Sequence, residues 1–161
     1  MTFQPNKIIF HHTGDNYNDR QFNKVNEYHQ TKGFPVSALG YFCGYHLFIE
    51  RDGSVIIARS LDEVGAHTLG ENWEAYGICL AGNFDVERPT DAQKEALGKW
   101  CDILMKRSKI SITQIYPHRA FRPTSCPGDN VPDKYAAYAV IESQISIIKK
   151  TILWLQNFLR K

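Results

Sequence analysis

"KIIFHHT", residues 7–13, is a short apolar run that closes on two histidines. Its length and composition fit a buried strand, expected over residues 7–12. The segments that follow alternate in type. "NDRQFNKVNEYHQTKGF" (18–34) places Phe22, Val25 and Tyr28 at helical spacing, with Asn18 or Asp19 as cap and Gly33 as stop. "GYHLFIERDGSVIIAR" (44–59) reads as a hairpin, because Asp52-Gly53 supplies the positive φ of a tight turn between two apolar runs. "AYGICLAGNF" (75–84) is a second buried strand.

"PTDAQKEALGKWCDILMKRS" (89–108) carries a capping box, Thr90 with Gln93, ahead of a helix whose expected buried face is Ala96, Leu97, Trp100, Ile103 and Leu104. "ITQIYPH" (112–118) is a short strand ending at His118. Interleaved strands and helices predict a single α/β domain: a central mixed sheet flanked by helices, over residues 1–133. A long amphipathic helix is expected over 134–161. There Tyr138, Ile141, Ile145, Ile148, Ile152, Leu155 and Leu159 recur at alternating spacings of three and four. Such a seam can pack on its own domain, join a second copy, or lie on a membrane surface. Packing on the same domain, in a monomer, is the expectation.

At 161 residues the chain is long enough for one real core. The formal charge of +2 excludes a nucleic-acid-binding surface spread over the whole molecule. The charge is uneven, however. Residues 134–161 hold five cations against Glu142, a net +4, and the remaining residues carry −2. A basic tail on a near-neutral body points to an anionic contact, a membrane or a wall. The N-terminus lacks the pattern of a signal peptide, and no apolar stretch is long enough to span a bilayer, so synthesis in the cytoplasm is expected. The four cysteines, Cys43, Cys79, Cys101 and Cys126, are far apart, and free thiols are expected.

Cys126 sits in "FRPTSCPGD" (121–129), a loop too rich in proline and glycine for a helix or a central strand. It can be a buried filler, half of a disulfide, a nucleophile with a histidine base, or a metal ligand. His11 and His12 close one strand and His118 another, and functional groups gather at strand ends in open α/β sheets. Two histidines and a thiolate make a donor set that zinc favours, with the fourth position left open as in catalytic sites. Spacing alone does not decide among these readings, nor between His11 and His12.

Four blocks in register, "IIFHHTG", "GYHLFIERDGSV", "VGAHTLGEN" with "YGICLAGNF", and "PHRAFRPTSCPGD", resemble the zinc-dependent N-acetylmuramoyl-L-alanine amidases. That group includes the peptidoglycan recognition proteins and the small T7-type phage lysozymes. The resemblance spans residues 7–133. It implies one Zn²⁺ held by His11, His118 and Cys126, with His12 and His46 turned to the opposite side. It implies catalytic roles for Tyr45 and Thr124, and a substrate groove lined by His67 and Asn72. The implied reaction is cleavage of the amide between N-acetylmuramic acid and L-alanine in peptidoglycan. Family members that only recognise peptidoglycan typically lack the cysteine, and those that recycle soluble muropeptides tend to carry an acidic residue in place of the tyrosine. Cys126 and Tyr45 therefore imply the lytic branch, a phage or prophage endolysin acting on the wall after release from the cytoplasm. The helix over 134–161 lies beyond what the resemblance explains.

Overall fold

The structure, a computed structural model, describes residues 2–16 and 20–160. Five strands form one sheet: β1 (Lys7–His12), β2 (Leu47–Ile49), β3 (Val55–Ile57), β4 (Ala75–Leu80) and β5 (Ile115–Pro117). Their spatial order is β3-β2-β4-β1-β5. β1 runs parallel to both β4 and β5, and β2 runs parallel to β4; only the hairpin strand β3 is antiparallel. Three helices cover the sheet: α1 (Phe22–Thr31), α2 (Asp91–Ser108) and α3 (Tyr135–Phe158). This is the mixed α/β architecture expected from the sequence.

Alternation along the strands divides the interior. Ile8, Phe10, Leu47, Ile49, Ile78 and Leu80 pack with Leu97, Cys101 and Leu104 of α2 and with Ala136 and Val140 of α3. On the other side Phe48, Cys79 and Ala81 pack with Phe22 of α1 and with Cys43. β1 is buried on both faces, so its sequence shows no polar alternation. All four cysteines are free.

Helix ends show where local signals suffice. In α2 the Thr90 side chain accepts from the Gln93 N–H, and the Gln93 side chain accepts in return from the Thr90 N–H. The buried Gln93 amide also donates to the Ala81 carbonyl at 2.8 Å, fastening the helix to the end of β4. For α1, Asn18 and Asp19 lie outside the described residues. The observed N-cap is Gln21, which makes no side-chain cap bond. The cap is supplied from a distance: the buried Glu50 carboxylate, just past β2, accepts from the N–H groups of Gln21 and Phe22 at 2.9–3.1 Å. A carboxylate there also faces the positive end of the helix dipole.

Two expected faces are corrected. In α1 Tyr28 is exposed and His29 is buried, because the His29 ring stacks on Phe34 and its Nδ1 accepts from Gly44 N–H at 3.0 Å. In α2 Ile103 is exposed and Cys101 buried, because α3 crosses on the side of Gly98 and Cys101. The crossing is close. A Cβ on Gly98 would lie 2.2 Å from the Ala139 carbonyl oxygen.

Only the first part of α3 is buried, through Ala136, Ala139 and Val140. Among the described residues, Lys94–Glu142 (2.7 Å) and Gln144–Asp102 (2.9 Å) are the last hydrogen-bonded ties to α2. The seam residues Tyr138, Ile141, Ile145, Ile148, Ile152, Leu155 and Leu159 are all exposed.

The crossing sets a test. By helix propensity alone Gly98→Ala would stabilise an α-helix by about 1 kcal/mol. Against the Ala139 carbonyl the added methyl forces the helices apart, and we expect a net loss of about 2 kcal/mol in a urea melt. A gain in stability would show that α3 does not sit at this crossing.

Candidate metal centre

β1 and β5 are parallel neighbours, so His11 near the end of one and His118 just past the end of the other meet at the same edge. His11 is on the α1 side of the sheet, opposite Cys79 in register, and is almost completely buried. His118 opens a short 3₁₀ turn and is half-buried. The two rings lie 4.4 Å apart by centroid. Cys126 returns to them with its Sγ 3.8 Å from His11 Nδ1. One nitrogen from each histidine and the Cys126 sulfur all fall within 4.8 Å of one another.

The Cys126 loop is held from His118's own neighbour. Arg119 donates to the carbonyls of Ser125 (2.9 Å), Gly128 (3.2 Å) and Val131, and to Asp133 (2.9 Å). Its backbone N–H donates to the Cys126 carbonyl at 2.9 Å. On the far side Asp85 accepts from Ser125 and from Asp129 N–H. Gly128, at φ 106°, approaches Phe84 so closely that a Cβ would meet its carbonyl carbon at 2.4 Å. Nothing in the sequence marked Arg119 for this work, since its partners apart from Asp133 are backbone oxygens.

Behind His11 lies a relay. His67 Nε2 is 3.3 Å from the Ala75 carbonyl, which can only accept, so that nitrogen carries the proton. His67 Nδ1 is then an acceptor, and His11 Nε2 lies 3.2 Å from it. The Thr68 hydroxyl sits beside both, 3.0 Å from His67 Nδ1 and 3.4 Å from His11 Nε2, so Nε2 is the His11 nitrogen that faces acceptors and Nδ1 is the one that faces the Cys126 sulfur. Burial holds His67 down to about 3 and His11 well below the usual histidine range, with the charges of neighbouring histidines adding to both, so both rings are neutral. The His67 ring fits because Gly77 and Gly65 lack side chains; a Cβ there would come within 2.4 and 2.6 Å of it. The Asn72 side-chain oxygen accepts from His67 N–H (2.9 Å) and Thr68 N–H (2.8 Å), which fixes the loop that presents His67.

His12 faces the other way: its Nδ1 accepts from Phe84 N–H at 3.1 Å. His46 also points away, packing on Phe3 and Tyr76. Tyr45 lies over the site, 5.0 Å from the His11 ring. It is placed by the preceding loop, whose Phe42 and Cys43 N–H groups bind Asn26 of α1. Burial, with the nearby thiols, raises the Tyr45 phenol well above its usual range, so it keeps its proton. Thr124 is exposed, and its hydroxyl accepts from Cys126 N–H at 3.2 Å.

The donor set fits a metal ion. A tetrahedral ion with nitrogen at about 2.1 Å and sulfur at about 2.3 Å keeps those atoms about 3.6 Å apart, close to the 3.8 Å between His11 and Cys126. Burial pushes the free Cys126 thiol up to about 11, even though His12 N–H donates toward the sulfur at 3.5 Å. An isolated thiolate is therefore disfavoured, which argues against an unassisted nucleophile, whereas a cation at the cluster reverses that shift.

An open two-histidine, one-cysteine cluster at the strand ends of a mixed sheet is the kind of site that metal-assisted hydrolases use. The family model of the N-acetylmuramoyl-L-alanine amidases matches residues 1–129, and the chain belongs to that family. It is 30% identical over 125 residues to peptidoglycan-recognition protein SC2 of Drosophila melanogaster, covering 76% of this chain and 68% of that protein. It is 36% identical over 91 residues to the endolysin of Klebsiella phage KP32, covering 52% and 58%. Among solved structures, the N-acetylmuramoyl-L-alanine amidase LysC from Clostridium intestinale superposes with a TM-score of 0.72 at 33% identity, over 89% of this chain and 87% of that one. The family match ends at residue 129, ahead of α3.

The relay behind His11 yields a test. His67→Ala is expected to cost about 10–100-fold in metal affinity, measured by competition with a chromophoric chelator. Unchanged affinity in a folded variant would remove His67 from the centre.

Proposed function

We propose that this chain is a zinc-dependent peptidoglycan amidase that hydrolyses the bond between the lactyl group of N-acetylmuramic acid and L-alanine. The observation that carries the reading is the convergence of His11, His118 and Cys126 at the strand ends of an amidase-family fold. In this reading those three residues hold one Zn²⁺, which supplies an acidified water and a polarised carbonyl when bound.

The other groups act around the scissile carbonyl. Tyr45, protonated and packed against His11, donates a hydrogen bond to the oxyanion that forms on attack. The Thr124 hydroxyl, whose oxygen already accepts from Cys126 N–H, has its own proton to donate to the same intermediate. His67 keeps His11 in the tautomer that offers Nδ1 as a ligand. Asn72 holds His67 in place, and both border the groove that receives the stem peptide. The wall is the site of action, as for an endolysin; the likeness to the phage endolysin supports that branch.

Digests of sacculi analysed by mass spectrometry should show new L-alanine amino termini that vanish with EDTA and return with Zn²⁺. Cys126→Ser should lose both metal and lysis, and a zinc-loaded Cys126→Ser protein of full activity would refute the ligand set. Tyr45→Phe should keep its metal and lose roughly 10²-fold in turnover, the scale of one catalytic hydrogen bond; unchanged turnover would take Tyr45 out of the reaction.

A further inference from the structure

Beyond Gln144, its last hydrogen-bonded tie to the body among the described residues, α3 runs on for roughly 20 Å with its side chains exposed. Ile148 is 58% exposed and Trp154 62%. This part of the helix has two unlike halves when projected at 3.6 residues per turn. Ile145, Ile148, Ile152 and Leu155 form one edge of an apolar half that Ile147, Trp154 and Phe158 extend, interrupted by Gln144 and Thr151. Trp154 and Phe158 stack at 5.5 Å. The opposite half carries Lys149, Lys150, Gln156 and Asn157, with Leu153 among them.

We propose that this exposed part of α3 is an interfacial anchor that lies on an anionic lipid bilayer. Three observations select that partner. A two-stranded coiled coil covers only a narrow a and d stripe, whereas here the apolar surface takes up roughly half the circumference and the Trp154–Phe158 pair would stay uncovered. The sequence after Glu142 holds four cations and no acidic residue, so two copies brought together would repel with no complementary charge. A soluble polyanion would satisfy the lysines and leave the isoleucines in water. A bilayer with acidic headgroups takes both halves: the apolar half enters the acyl boundary while the lysines stay at headgroup level.

The helix lies on the membrane and does not cross it, since none of the described helices is long and apolar enough to span. The apolar surface also continues onto the body. Tyr138 and Ile141 line a groove of about 520 Å³ with Ile112, Ile115, Tyr116 and Pro117, along the outer side of β5. Residues 1–133 carry a formal −2, so α3 is the element that draws the protein to negative lipid.

The test is co-sedimentation of the full chain with vesicles of phosphatidylcholine alone or mixed with phosphatidylglycerol, alongside sedimentation velocity without lipid. Binding to the mixed vesicles and a monomer in solution are expected. Lys149→Gln with Lys150→Gln should weaken the partitioning roughly 30-fold. Ile148→Asp with Ile152→Asp should abolish it. Both double variants change exposed side chains, so melting temperature and hydrolysis of a small soluble muropeptide should be unchanged. No binding to the mixed vesicles, equal binding by all variants, or a stable dimer that the aspartate pair dissociates would each overturn the proposal.

Discussion

Arg119 is the constraint on which the site depends. Two members of the cluster, His11 and His118, are brought together by the sheet, because β1 and β5 are parallel neighbours. The third is on a loop, and a loop has no ladder to hold it. The guanidinium next to His118 satisfies three carbonyls of residues 125–131 and pairs with Asp133, so one side chain fixes the loop relative to the strand end. A planar fork with five donors suits this task in a way that a lysine ammonium does not. The same loop is pressed on Phe84 through Gly128, and Phe84 in turn donates to His12. The two histidines of "HH" thus serve one loop from opposite sides: His11 faces its sulfur, and His12 anchors the turn against which it packs.

What was legible in the sequence was local. The hairpin at Asp52-Gly53, the Thr90–Gln93 capping box and the buried strands follow from short-range rules, and the structure contains them. The cap of α1 was invisible, because Glu50 supplies it from 28 residues away. Periodicity assigned Tyr28 and Ile103 to buried faces because it measures hydrophobicity and not which neighbour arrives. His29 is inside because an N–H needed an acceptor, and Ile103 is outside because α3 crosses one residue stripe away. For the site, sequence blocks identified the three clustered residues. They could not show the position of His67, which depends on two glycines clearing space for its ring.

α3 shows the same limit from the other direction. Its spacing was the most regular pattern in the chain, and spacing alone offered three partners for it. The structure leaves the seam open and shows that the helix is held to the body by Ala136, Ala139 and Val140, with Ala139 against Gly98, and not by its large seam residues. Small side chains allow close contact between helices and reserve the bulky ones for something else.

That division has a consequence for how such a chain can change. Every residue of the His11–His118–Cys126 cluster precedes α3 in sequence, and α3 docks on α2, across the sheet from the face that carries His11. It is held there by its first turns, through Ala136, Ala139 and Val140 and the Glu142 and Gln144 ties. The appended helix can lengthen, change its charge or be traded for another while the chemistry stays where it is. Where the protein lodges and what it cuts are therefore free to evolve on separate schedules.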